Sequence, residues 1–170
     1  MILLATAALG MGLYLIVHGR DLVTPDACLG IVSLELPVTA DRAAAVIASW
    51  DGGLREIARK DIYLDFLFLL LYPLAFSAAL AAVSAWRSTG WTAAYRGMSW
   101  QALWMIPLDA FENLLMLRML AEGPTAVSAA ATTLFAATKF LLFFTALTLL
   151  LRALLRALVL KLLGGKLGET

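Results

Sequence analysis

The chain is 170 residues long, 62% apolar and 15% charged, with a formal net charge of +1; soluble domains run to about 45–50% apolar and about 25% charged. That composition excludes an ordinary soluble domain, and a near-neutral charge without a basic patch interleaved with aromatics excludes a DNA or RNA partner. The single cysteine, Cys28, rules out an internal disulfide and a CxxC pair. The single histidine, His18, rules out a multi-histidine zinc site or a bis-histidine haem from this chain, and no metal site is expected.

Taken in chain order, residues 1–18 form an apolar run without a charge until His18-Gly19-Arg20. The run has neither the basic start nor the Ala-x-Ala-like site of a signal peptide, so it reads as a retained membrane span. Three further spans are expected at residues 62–86, 98–120 and 126–151, each long enough at about 1.5 Å per residue to cross hydrocarbon. Pro73 and Pro107 fall inside the second and third and are expected to bend them. Arg87 and Arg96 lie between spans two and three, and Arg152, Arg156, Lys161 and Lys166 follow span four. Basic connections stay inside, so both termini are expected to be cytoplasmic. The connection over residues 19–61, with five basic against seven acidic residues, and the short turn at 121–125 then face outward.

Residues 19–61 should form an outer cap. Pro25 and Pro37 mark turns, Thr39 is placed to cap a short helix running to Trp50, and Gly52-Gly53 should break it before a second helix begins near Leu54 and continues into span two. Weak alternation over residues 31–36 admits a strand. His18 reads as a hydrated interfacial residue, with proton sensing as its alternative. Trp50, Trp86, Trp91, Trp100 and Trp104 read as interfacial anchors. Span four should extend as a basic cytoplasmic tail helix over 152–170, stopping at Gly164-Gly165 and contacting anionic lipid.

The informative residues are those that do not belong in lipid, where each ionisable side chain costs from about 2.5 kcal/mol upwards unless paired or hydrated. Asp65 and Tyr72 lie seven positions apart in span two. Asp109, Glu112 and Asn113 share one face of span three at i, i+3, i+4, and span four carries Lys139 with Thr132 on the same side. All fall in the outer half of the bilayer by residue count, so one polar cluster between spans two, three and four is expected. Lys139 should reach Asp109 or Glu112, with Asn113 and Tyr72 donating to the remaining carboxylates. Three acids against one base leave excess negative charge. Arg20 and Arg59 are candidates to balance it; Arg118, nearly opposite Asp109 on the helix, is a poorer one.

The stretch Leu64-Asp65-Phe66-Leu67-Phe68 with Tyr72, then Asp109-Ala110-Phe111-Glu112-Asn113 and Thr138-Lys139-Phe140, resembles a pattern in small bacterial four-span membrane proteins of no assigned activity. Leu34-Glu35-Leu36 ahead of the short outer helix belongs to the same resemblance, which covers residues from about 30 to 150. It implies the four-span architecture and the choice of polar residues, and no chemistry.

The reading is an all-α integral membrane protein: a single four-helix membrane domain of a bacterial inner membrane, with an extracytoplasmic helical cap. Its expected role is non-catalytic, a binding protein or accessory subunit in contact with membrane lipids and a second copy or another protein. The acidic cluster of Asp65, Tyr72, Asp109, Glu112, Asn113 and Lys139 opens to the outer face. The blander reading makes the cluster interhelical glue. The competing functions are a small proton- or cation-coupled transporter and a lipid-modifying enzyme using Asp65 and Glu112 as acid and base. For the enzyme no nucleophile with an adjacent base is present, and no catalytic residue is assigned. No cofactor is named by a motif; a quinone or carotenoid held by apolar contacts alone would leave none.

Overall fold

Apolar runs of this length satisfy their backbone amides internally only by coiling into helices, and the chain does so. The computed structural model describes residues 2–86 and 90–164, and among them there is no strand. The elements in order are α1 (Ile2–His18), α2 (Val32–Glu35), α3 (Ala40–Ser49), α4 (Gly52–Trp86), α5 (Thr92–Gln101), α6 (Met105–Glu122) and α7 (Ala126–Gly164), with 3-10 turns at Gly19–Leu22 and Ala102–Trp104. Three segments, Ile2–Leu22, Gly52–Ala85 and Ala126–Leu162, are long and apolar enough to cross a membrane. That arrangement is compatible with a multi-pass membrane protein. The α6 helix is shorter and carries Asp109, Glu112, Arg118 and Glu122 within its length.

The packing is written in heptads. In α4 the buried or half-buried positions Ala58, Ile62, Asp65, Leu69 and Tyr72 alternate steps of four and three, as do Met105, Asp109, Glu112, Met116 and Met119 in α6. In α7 the series is Ala129, Thr132, Ala136, Lys139, Phe143 and Ala146. Steps of three and four keep one stripe facing its neighbours along the whole helix, the pattern of knobs-into-holes bundles. α4 is the hub, touching α1, α5, α6 and α7, while α6 packs along α7. The α1 helix joins mainly through α4: its one buried residue is Ala8, and Gly12 leaves room for the Phe68 ring.

Apolar layers form around Ile62, Met116, Met119 and Ala129, around Leu69, Tyr72 and Met105, and around Leu80, Met98 and Ala146. Asp65, Asp109, Glu112 and Lys139 fall between the first two of these layers in the sequence of each helix. The polar cluster therefore interrupts the seam at one level.

Several local expectations are replaced. Residues 31–36 form not a strand but the single turn α2, whose backbone amides are met locally, Glu35 N donating to Ile31 O and Leu36 N to Val32 O, rather than by a neighbouring strand. The α3 helix starts as expected, with Thr39 Oγ1 accepting from Arg42 N at 3.2 Å. The break after it lies at Trp50-Asp51, not at the glycines: Asp51 Oδ1 accepts from Gly53 N and Leu54 N, capping α4 and drawing both glycines into its first turn. Trp50 is no interfacial anchor. It is fully buried, and its indole donates to Leu22 O at 2.9 Å. The continuous third span over 98–120 is divided by the 3-10 turn, so Pro107 falls in the first turn of α6, where a missing N–H costs little. Pro73 does sit inside α4, which continues through it. Arg87, Gly165 and Lys166 lie outside the described residues.

Candidate functional site

At the centre of the site is the Lys139 ammonium, contributed by α7 and almost entirely buried. It donates to Asp109 Oδ1 at 2.8 Å, Glu112 Oε1 at 2.9 Å and Glu35 Oε2 at 3.3 Å. Three carboxylates match the three donors of an ammonium, so Lys139 is saturated. The Phe140 ring lies 5.0 Å from its nitrogen. Tyr72 donates to the other oxygen of Asp109 at 2.8 Å, and Asn113 Nδ2 donates to Asp65 Oδ2 at 2.7 Å.

All six polar residues singled out in the sequence therefore meet between α4, α6 and α7, in two linked groups. Lys139, Asp109, Glu112 and Tyr72 form one, and Asp65 with Asn113 forms the other. The two are joined along α6, where Glu112 and Asn113 are neighbours. Asp65 also interacts electrostatically with Asp109, Lys139 and Glu35.

Glu35 enters the sequence reading only within the Leu34-Glu35-Leu36 part of the resemblance and is not assigned there to the cluster. It lies in the connection rather than in an apolar run, and nothing in its spacing marks it as a partner for a residue 104 positions away. Its signal is local: an acid framed by Leu34 and Leu36 in a segment that otherwise buries apolar residues. The α2 turn delivers it, held by Leu29 N donating to Ser33 Oγ at 3.0 Å. The proposed balancing cations are not in the cluster. Arg20 and Arg118 face the carboxylates of Asp21 and Glu122 at their own surfaces, and Arg59 is exposed. Three carboxyl groups, those of Glu35, Asp109 and Glu112, thus surround one ammonium, and a fourth, Asp65, is held beside them by Asn113.

A cavity of about 260 Å³ adjoins this cluster, walled by α1, α2, α4, α6 and the 3-10 turn Gly19–Leu22. Glu35, Asp61, Asp65 and Asn113 supply most of its polar wall, with Arg20 beside them; Leu15, Ile31, Ile62 and Met116 contribute apolar surface. Asp61 is already engaged, paired with the His18 ring, so His18 is not simply hydrated. His18 also stacks on Tyr14, with ring centroids 5.5 Å apart. Gly19 permits this approach, since a Cβ there would lie 2.6 Å from Asp61 Oδ2.

Asn113 is different: only 1% exposed, it lines the cavity, and its Oδ1 has no hydrogen-bond partner among the described residues. Glu112 Oε2 and Thr132 Oγ1 are likewise buried without a partner. Buried polar atoms rarely stay unpaired unless something else meets them. Among the described residues no group of three or more His, Cys, Asp or Glu is arranged to hold a metal ion.

Comparison with known proteins returns no matching family model, no similar curated protein and no similar solved structure.

Proposed function

We propose that the chain is a non-catalytic binding protein of a bacterial inner membrane, a four-span bundle whose acidic cluster forms the inner wall of a ligand pocket open to the outer face. In this reading α6 is the remaining span, tolerating Asp109 and Glu112 because they are buried against its neighbours, with the exposed Arg118–Glu122 pair at its outer end. Residues 19–51 cover the outer end. The basic residues on α5 and at the end of α7 stay on the cytoplasmic side.

The observation that carries the reading is the division of labour within the cluster. Lys139 consumes Glu35, Asp109 and Glu112 and ties the connection to the helices, whereas Asp65, bonded to Asn113 and outside the hydrogen bonds of Lys139, lines a cavity. Interhelical glue alone does not need that second group or the space beside it.

The test is extraction from native membranes in mild detergent, followed by native mass spectrometry. Wild-type protein is expected to retain a specific small molecule or lipid that Asp65→Asn loses while keeping its helical content. A chain that retains only a stoichiometric protein partner, identically in both forms, would make the cluster an assembly device and overturn the pocket.

A further inference from the structure

The α7 helix carries a second stripe besides the one turned into the bundle. Leu141, Phe144, Thr148, Leu151, Leu155, Leu158 and Leu162 are all exposed and follow one another in alternating steps of three and four. The first four lie five positions on from the inward residues Ala136, Lys139, Phe143 and Ala146, which puts the stripe about 140° around the helix from the bundle. Its six apolar side chains are between 49% and 68% exposed, and none of them lines the acidic cavity.

The stripe outlasts the bundle. Leu149, Leu150 and Ala153 still pack on the layer around Leu80 and Met98, whereas every residue from 154 to 162 is exposed. At the level of the last packed residues Arg152 donates to the Tyr95 hydroxyl at 2.9 Å, and its guanidinium lies 4.0 Å from the centre of the Trp91 ring, the basic and aromatic company of a membrane interface. With 39 residues, α7 is about 58 Å long against about 30 Å of hydrocarbon. No proline, and no glycine before Gly164, interrupts it. Residues 154–162 therefore cannot fold back onto the bundle, or turn flat onto the bilayer, without breaking the helix.

Lipid makes no demand on spacing, but a stripe held to 3.5 residues per repeat is what a supercoiled partner helix requires. Two copies inserted with the same orientation are related by an axis along the membrane normal, so α7 meets α7 in parallel and the stripe meets itself in register. Closing it removes on the order of 100 Å² for each apolar side chain and, with the flanks, on the order of 700 Å² per copy, close to the about 800 Å² per partner of a stable interface. Beyond Arg152 this surface is taken from water, where burial itself stabilises. Arg156 lies about 100° around the helix from Leu155, outside the seam. We infer that the outer face of α7 from Leu141 to Leu162 is the interface with a second copy of this chain, the two helices packed in parallel along their heptad stripes and continuing as a two-stranded coil beyond the membrane.

The sole cysteine, Cys28, is exposed and lies outside α7, so the full-length Cys28→Ser chain is a background for single cysteines. In native membranes Leu151→Cys, Leu155→Cys, Leu158→Cys and Leu162→Cys are oxidised alongside Ala157→Cys and Leu160→Cys, which are exposed on the far side of the helix. The expected result is a disulfide-linked dimer from the seam positions in at least tenfold higher yield than from the far side. In nanodiscs the wild type is expected to give the mass of two chains, falling to one in the Leu155→Asn, Leu158→Asn double variant. Equal crosslinking around the helix, or none from the seam, would overturn the inference, and a two-chain mass without seam crosslinks would move the interface to another surface. A single-chain mass with residues 154–162 quenched by lipid-borne probes would assign the face to the membrane and overturn it too. The cysteine scan uses exposed positions alone, so a double variant that fails to fold does not shield the inference. Ligand retention in the acidic cavity is a separate mass, and its outcome is read independently of the dimer.

Discussion

Lys139 is the residue on which the cluster depends. Its removal leaves three carboxylates buried within reach of one another, and truncating one partner of a buried ionic group typically costs about 3–5 kcal/mol. Arg118 and Glu122 make an i, i+4 pair with side chains 67% and 63% exposed, where the interaction is worth about 1 kcal/mol or less. Lys139→Met is therefore expected to destabilise the protein by several kcal/mol and Arg118→Met by less than about 1 kcal/mol, measured by denaturant unfolding in nanodiscs. Comparable effects would show that the Lys139 contacts are hydrated and weakly coupled. The residue types of this site were legible because each ionisable group inside an apolar run stands out against its surroundings, and the i, i+3, i+4 spacing of Asp109, Glu112 and Asn113 puts them on one face. Glu35 was not legible as a member of the cluster, because its contrast with Leu34 and Leu36 is only local and nothing in its spacing ties it to Lys139. Nor was the unpaired Asn113 oxygen, which depends on which amide atom faces Asp65.

At the scale of elements, the heptad stripes explain why the helices align as they do, and they are present in the sequence as steps of three and four. They were obscured because the polar residues occupy seam positions: Asp65, Asp109, Glu112, Thr132 and Lys139 read as interruptions of an apolar pattern when they belong to it. The covering segment was legible where capping chemistry is local, as at Thr39. It was illegible where burial decides, as for Trp50 and for the α2 turn, whose one turn of helix rests on tertiary contacts rather than propensity. Val38, between α2 and α3, shows how this segment is fastened. It adopts φ 61°, a conformation unfavourable for a β-branched residue, while its N–H donates to Thr133 Oγ1 on α7 at 3.0 Å. Asparagine accepts that conformation more readily, so Val38→Asn is expected to stabilise the protein by about 1 kcal/mol, checked by the same unfolding measurement. A loss of stability would mean that the valine side chain contributes packing that outweighs its backbone cost.

For the whole molecule, all-helical architecture and three long apolar helices followed from composition and run length. In the proposed four-span reading α6 is the fourth span by charge placement: it is too polar to be recognised by hydropathy alone, and Asp109 and Glu112 are tolerable there because they are buried. With four spans the two termini share one side and residues 19–51 lie on the other. The central claim is that the acidic pocket opens to the outer face, and the chain supplies its own probe. Cys28 is the sole cysteine, lies in the connection that walls the pocket and is exposed. Labelling of intact spheroplasts with a membrane-impermeant maleimide is predicted to modify Cys28 without permeabilisation. Modification only after the membrane is opened would place this connection, and the pocket with it, on the cytoplasmic side and contradict the account.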